Sequence, residues 1–457
     1  MPAFVRISLL AIGASLWSAA AQAPVPAERA RANDPAPAGS FSKAPQAPAM
    51  QATDSLRISL LTILPGSDIY SLWGHSAVRI IDEGRGLDLS YNYGTFAFET
   101  SFFVARFLHG SLEYRLGVHR VDAAIHQYRA EGRPVIEQVL DLSPEQKVSL
   151  QRFLQLNARP EHRSYRYHFL FDNCSTRIRD ALEQALDGAV RFDDVPDPQT
   201  TFRELIDPYQ RAVPFLDAGI DWLLGAPVDR VALPQETMFL PDYLLRAFDE
   251  AVVEVDGSAR PLVVRKDTLL WIDGYEPPGH SFPWEAGVAW LIFGTGLVVT
   301  IRTRSTKRST KRGTVPGTLP GPGTRQGLGR NSGPGYARAF DAPLFLTVGL
   351  AGVLIAYLWF ISHHDVTENN WHLLWAWPTH LIAGVAMLRR RREVPRWLPG
   401  YAAASALMAL VVIAGAPVWP QALHPVLVPI TLLVALRGGA FFFAGRRHIG
   451  SARPASP

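Results

Sequence analysis

The sequence predicts an α+β exported domain followed by an all-α membrane domain of about five transmembrane helices. Three observations carry this. The chain opens on an export-like segment, residues 55–280 show strand alternation and helix capping, and the remainder holds five apolar runs. At 457 residues the chain is too long for one ordinary domain, and its formal charge of +4 is mild.

Residues 1–23 read as a signal peptide: Arg6 precedes the apolar run 7–17, and Ala21-Gln22-Ala23 gives a small-x-small cleavage pattern. Residues 24–54, rich in Ala and Pro, read as a disordered tether. A folded exported domain is expected over 55–280. Apolar runs follow at 284–301, 343–361, 371–388, 398–419 and 423–443, each long enough to cross a bilayer. "RTRSTKRSTKR" (302–312), "RRRR" (389–392) and "GRR" (445–447) flank them. By the positive-inside rule these lie in the cytoplasm, so they mark topology and no nucleic-acid partner. The connector 302–340 reads as a disordered basic cytoplasmic loop, with four further spans within 343–446. An odd number of spans then places the 55–280 domain in the periplasm, anchored to the bacterial inner membrane by a multi-pass segment. Arg437, inside the last run, is expected to snorkel to the cytoplasmic interface.

Within the exported domain, "AVRII" reads as a strand, "DEGRG" as a turn, and 87–93 as the return strand. A hairpin closed around Gly84-Arg85 pairs residues whose numbers sum to 169. That register puts His75 and Asn92 on one face, close enough for an amide to orient an imidazole. Cys174 is the only cysteine in the chain, so it has no partner for an internal disulfide in an oxidising compartment. It follows the N-capping residues Asp172 and Asn173 and precedes an apolar face of Ile178, Leu182, Ala185 and Leu186. A first-turn thiol is expected to have a lowered pKa, beside N–H groups suited to an oxyanion. A lone cysteine is also a common small core residue, and His75 or Asn92 taken singly also fits packing or a turn. The conjunction points to a Cys–His nucleophile.

"WGHSAVRI", "YNYGTF" and "YRYHFLFDNCSTRIRDAL" resemble the Lnb N-terminal periplasmic domain, and "HHDVTENNWHLLWAWPTHL" (363–381) fits the membrane half of that family. The resemblance implies a circularly permuted papain-like fold, akin to NlpC-type peptidases and lecithin:retinol acyltransferase. It further implies a lipoprotein N-acyltransferase that moves a fatty acyl chain from a phospholipid donor to the α-amine of a diacylglyceryl-cysteine lipoprotein acceptor. Cys174 would be the nucleophile and His75 the general base and acid, with no cofactor and no metal; Asn92 as the orienting residue rests on the register alone.

A second polar cluster, "HHDVTENNWH" (363–372), falls in an outer loop. His364, Glu368 and Asn369, with Trp73 beside His75, are weaker substrate-binding candidates; an ordinary polar loop with interfacial tryptophans is the competing reading. Tyr165, Tyr167, Phe169 and Phe171 alternate ahead of Cys174 as a strand with an aromatic face, suited to core packing or to an acyl-chain pocket. The same Cys–His constellation also fits a periplasmic cysteine peptidase or amidase, and a non-catalytic lipoprotein-binding scaffold is the third alternative.

Overall fold

The computed structural model describes residues 55–450 apart from 97–100, 194, 196–198, 278, 280–281, 313–334 and 389–394. The expected signal peptide, the tether and the arginine run 389–392 lie outside the described residues. The described residues form two compact units. The first takes its residues from Met1–Gly66, Trp73–Pro196 and Pro234–Tyr275, the second from Ser67–Leu72, Asp197–Leu233 and Glu276–Pro457.

The first unit is built on strands β1 (Leu56–Ile63), β2 (His75–Asp82), β3 (Leu87–Thr95), β4 (Glu113–Arg120), β5 (Val135–Leu140) and β6 (Ser164–Arg166). A small sheet of β7 (Val190–Arg191), β8 (Val252–Val255) and β9 (Ser258–Pro261) precedes the last strand, β10 (Val263–Leu270). The large sheet is antiparallel in the order β10-β5-β1-β2-β3-β4-β6. Its central hairpin has the expected register, with Val78 opposite Tyr91 and Ile80 opposite Leu89. The turn closes because Asp82 accepts the Arg85 N–H and Gly86 adopts φ +62°, a left-handed conformation that glycine takes without strain.

Helices α1 (Phe103–His109), α2 (Val121–Ala130), α3 (Pro144–Asn157) and α4 (Cys174–Ala185) follow in order. Next, α5 (Phe202–Gln210) and α6 (Pro214–Leu223) belong to the second unit, and α7 (Pro241–Glu250) returns to the first. The period-two alternation sorts the sheet's side chains onto two faces. Ile58, Leu60, Val78, Ile80, Tyr91 and Tyr93 form one core with Leu150 and Leu154 of α3, Ile178 and Leu182 of α4, and Phe248 of α7. Leu61, Ile63 and Ala77 pack on the opposite face with Ala124 and Tyr128 of α2. Burying Ile178 and Leu182 completely stabilises α4 on the sheet by about 1.5–3 kcal/mol each.

The second unit contains α8 (Trp284–Arg312), α9 (Gly335–Phe360), α10 (His380–Leu388), α11 (Trp397–Gly415) and α12 (Leu427–Gly450). Among the described residues four stretches are long and apolar enough to cross a membrane: Trp284–Arg304, Ala337–Phe360, Trp397–Gly415 and Leu427–Ala444. The expected run 371–388 is not one helix. A 3-10 turn, Trp371–Leu374, gives way to non-helical chain containing Pro378, and only then does the short α10 begin. This stretch packs closely on α9, where a Cβ at Gly352 would overlap the Ala376 carbonyl and one at Gly349 would crowd His380. The connector is also shorter than expected, since 302–312 continue α8 and 335–340 open α9.

Arg437 does not snorkel. It is 2% exposed and donates to Asp341 from Nε (2.6 Å) and Nη2 (3.0 Å), and to Thr300 Oγ1 from Nη1 (2.6 Å). A charge held inside an apolar helical unit needs a partner, and Asp341 on α9 supplies one.

Candidate active site

Asn173 caps α4. Its side-chain oxygen accepts the N–H groups of Ser175 (2.8 Å) and Thr176 (3.0 Å), while Thr176 Oγ1 accepts the Asn173 N–H (2.8 Å). The Asn173 amide in turn donates to the carbonyls of Phe169 and Phe239 (2.7 and 2.8 Å). This reciprocal cap fixes the first turn, and with it Cys174, against the end of β2. Cys174 is 8% exposed. Its sulfur is in hydrogen-bonding reach of the main-chain N–H groups of Ser76, Ser175 and its own residue, and of Ser175 Oγ at 3.9 Å. Ser175 Oγ lies 3.0 Å from Ser76 Oγ, which ties the helix start to the strand.

His75, the first residue of β2, is half-buried. Its Nε2 lies 3.3 Å from Asn92 Oδ1. The Asn92 amide nitrogen donates to Ser90 O (3.3 Å) and Ser90 Oγ (3.0 Å), which turns the amide oxygen toward the imidazole. An oxygen acceptor opposite Nε2 means that Nε2 carries the proton and Nδ1 keeps the basic lone pair. Tyr128 of α2 donates to the same Asn92 oxygen at 3.5 Å. This contact has no local signature in the sequence, because Tyr128 lies on a helix with no motif. Strand alternation sends Ser76 toward α4 and His75 toward α2, and thiol and imidazole both lie at the start of β2. Among the described residues no direct hydrogen bond joins them.

The electrostatics differ from the expectation drawn from the helix terminus. Burial pushes the Cys174 thiol pKa up, and the surrounding N–H groups offset this only in part. Burial, helped by the Arg133 guanidinium, lowers His75 to about 4 against the Asn92 hydrogen bond. The resting pair is therefore a neutral thiol and a neutral imidazole, not a preformed thiolate–imidazolium.

The aromatic run ahead of Cys174 is mostly not strand, since β6 covers only Ser164–Arg166 and Phe171 is exposed. Arg177 stacks 3.5 Å from the Tyr165 ring centre and pairs with Asp172. Trp73 packs edge-on against Phe169 at 5.2 Å, and its Nε1 has no hydrogen-bond partner among the described residues.

The second unit holds the other polar cluster, which is built as a joint. Asn370 donates from Nδ2 to the carbonyls of Trp222, Leu223 and Leu224 (2.9–3.4 Å), acceptors left over at the end of α6. Gln421 donates to Leu224 O (2.9 Å) and accepts the Trp371 N–H (2.6 Å). Arg203, 3% exposed, bonds Asp221 (2.9 Å) and Asp229 (2.8 and 3.0 Å). Gly225 donates to Val366 O (2.9 Å), and a Cβ there would overlap the Glu368 carbonyl. The segment expected inside the catalytic domain, 199–233, is thus fastened to the loops of the membrane unit. Glu368 and Asn369 are exposed and His364 half-buried, and it is the main chain of Glu368 that meets Gly225. Among the described residues no three His, Cys, Asp or Glu side chains converge to hold a metal ion.

Two family models match the chain: the Lnb N-terminal periplasmic domain over residues 45–208 and the Lnb transmembrane domain over residues 333–447. No curated protein and no solved structure matches it. The first match covers both β2 and the start of α4, and hence His75, Asn92 and Cys174; the second covers α9 to α12. Taken together the two span more than half of the chain in the family's own order, and the protein belongs to the Lnb-type family of membrane proteins with a periplasmic domain.

Proposed function

We propose that the protein is a thiol acyltransferase of the bacterial inner membrane that N-acylates lipoproteins, with Cys174 as nucleophile and His75 as general base and acid on a permuted papain-like scaffold. One observation carries this reading. The single cysteine lies at a capped helix start among main-chain N–H groups, at the strand end where an amide-oriented histidine sits.

The Cys174 sulfur attacks the ester carbonyl of a phospholipid while His75 takes the thiol proton. The oxyanion is held by the N–H groups of Ser76 and of Cys174 itself. The ester C–O bond breaks, the lysophospholipid alkoxide leaves with the proton from His75, and an acyl-thioester remains. The α-amine of a diacylglyceryl-cysteine then attacks the thioester, giving its proton to His75. The C–S bond breaks, the amide forms, and His75 returns the proton to sulfur. Membrane attachment presents donor and acceptor at high local concentration.

The test is a full-length preparation in phospholipid vesicles given a synthetic diacylglyceryl-cysteine peptide. Tandem mass spectrometry is expected to place one fatty acyl group on the α-amine, with an equal amount of lysophospholipid. Lysophospholipid and free fatty acid without the amide would identify a lipase. Cleavage of a peptide or cell-wall substrate with no lipid product would favour the peptidase reading.

A further inference from the structure

We propose that α1 and the aromatic residues behind it are the lipid-entry element: the exposed apolar side chains of α1 enter the acyl-chain region of the bilayer, and a series of rings leads one phospholipid acyl chain to Cys174. This rests on the reading above that Cys174 accepts an acyl group from phospholipid.

On α1 and the residue before it, Phe102 is 84% exposed and Phe107 49%, with Val104 also exposed. Phe102 moreover holds φ +58°, a left-handed conformation that costs a bulky aromatic free energy without burying it. Inward from this surface the rings are in continuous contact. Phe107 stacks on Phe103 at 6.4 Å, Phe103 on Phe96 at 5.8 Å, Phe96 meets Tyr114 at 5.3 Å, and Tyr114 stacks on Tyr167 at 4.3 Å. The series ends at the thiol residue. Gly94 has φ +84°, and a Cβ added there would be 3.2 Å from the Tyr167 ring and 3.7 Å from Cys174 Cβ. The absence of that Cβ keeps the last ring and the cysteine in one apolar space.

The occupant follows from the surroundings. Arg106 on α1, Arg115 on β4 and Arg166 on β6 are exposed, a basic margin suited to lipid phosphates beside an apolar tip suited to acyl chains. The same chain carries four candidate spans, so a bilayer is the apolar phase that this element meets at high local concentration.

The test uses full-length Cys174→Ser protein with a single new cysteine at position 102, 107 or 260, the last on exposed β9. Each is labelled with an environment-sensitive fluorophore in phosphatidylethanolamine–phosphatidylglycerol vesicles containing acyl-chain spin label. Quenching at 102 and 107 is expected to exceed that at 260 by about threefold or more; equal quenching would overturn membrane entry. In parallel, Phe102→Asn/Phe107→Ser, with Cys174 retained, is expected to form the acyl-thioester at least about tenfold more slowly than wild type. Its alkylation of Cys174 by iodoacetamide should be unchanged. An unchanged acylation rate would overturn the ring route even if α1 enters the bilayer. Failure of wild-type protein to form any thioester would overturn the functional reading and the route with it, while the quenching result would still decide where α1 sits.

Discussion

Two buried polar centres of this protein are finished to different degrees. In the second unit, Arg203 bonds two aspartates and two main-chain carbonyls, and Asn370 and Gln421 close the end of α6 around it. At the other centre, the Cys174 sulfur takes only weak polar contacts, and among the described residues His75 uses one ring nitrogen. A buried guanidinium bonded on all sides specifies packing, whereas reactive groups held by few partners suit chemistry. The difference teaches that polar density, which drew attention to the 363–372 loop in the sequence, separates structure from chemistry only once the partners are counted.

The largest effect should come from the unsaturated centre. Cys174→Ala is expected to lower acyl transfer at least about 1000-fold, and His75→Ala about 100- to 1000-fold, with melting temperatures near wild type. Loss of fold in Cys174→Ala would return that residue to the core. The Arg203 centre should respond in the opposite way. Arg203→Leu leaves Asp221 and Asp229 buried without their cation and should cost about 3–5 kcal/mol by denaturation of the full chain. An Arg203 variant of normal stability would break the comparison.

Asn92→Ala sharpens it. Removing the acceptor frees the imidazole to rotate, so the rate should fall about 10- to 100-fold, with a stability loss of about 1–2 kcal/mol. A smaller effect concerns pH. Because burial raises the thiol pKa, alkylation of Cys174 should climb through the alkaline range with a midpoint above that of a free thiol. His75, lowered to about 4, stays neutral above that pH, so it adds no acid limb near 6.5. In stability, the folded state resists protonating His75 while the unfolded chain does not. Its contribution is complete above 6.5 and declines as pH falls toward 4. An alkylation plateau already reached at neutral pH would contradict the neutral pair.

Much of the first centre was legible because it rests on local rules. The β2–β3 register follows from a short turn, and the cap of α4 from Asn173 and the periodicity of Ile178 and Leu182. The sign of the thiol's pKa shift was not legible, because burial is set by residues far apart in sequence and here outweighs the helix terminus. Long-range pairing hid the rest. Asp341 lies 96 positions from Arg437, and Asn370 reaches back to the end of α6, so neither the buried ion pair nor the assignment of 199–233 to the membrane unit had a local signature. The run 371–388 has the composition of a span, but Pro378 and the close approach of Gly352 divide it.

The most direct test of the central claim is the intact mass of the full-length protein after incubation with phospholipid and no amine acceptor. The account predicts a gain of one fatty acyl group, released by hydroxylamine and absent in Cys174→Ala. An adduct that persists in Cys174→Ala, or lysophospholipid formed by that variant at the wild-type rate, would contradict it.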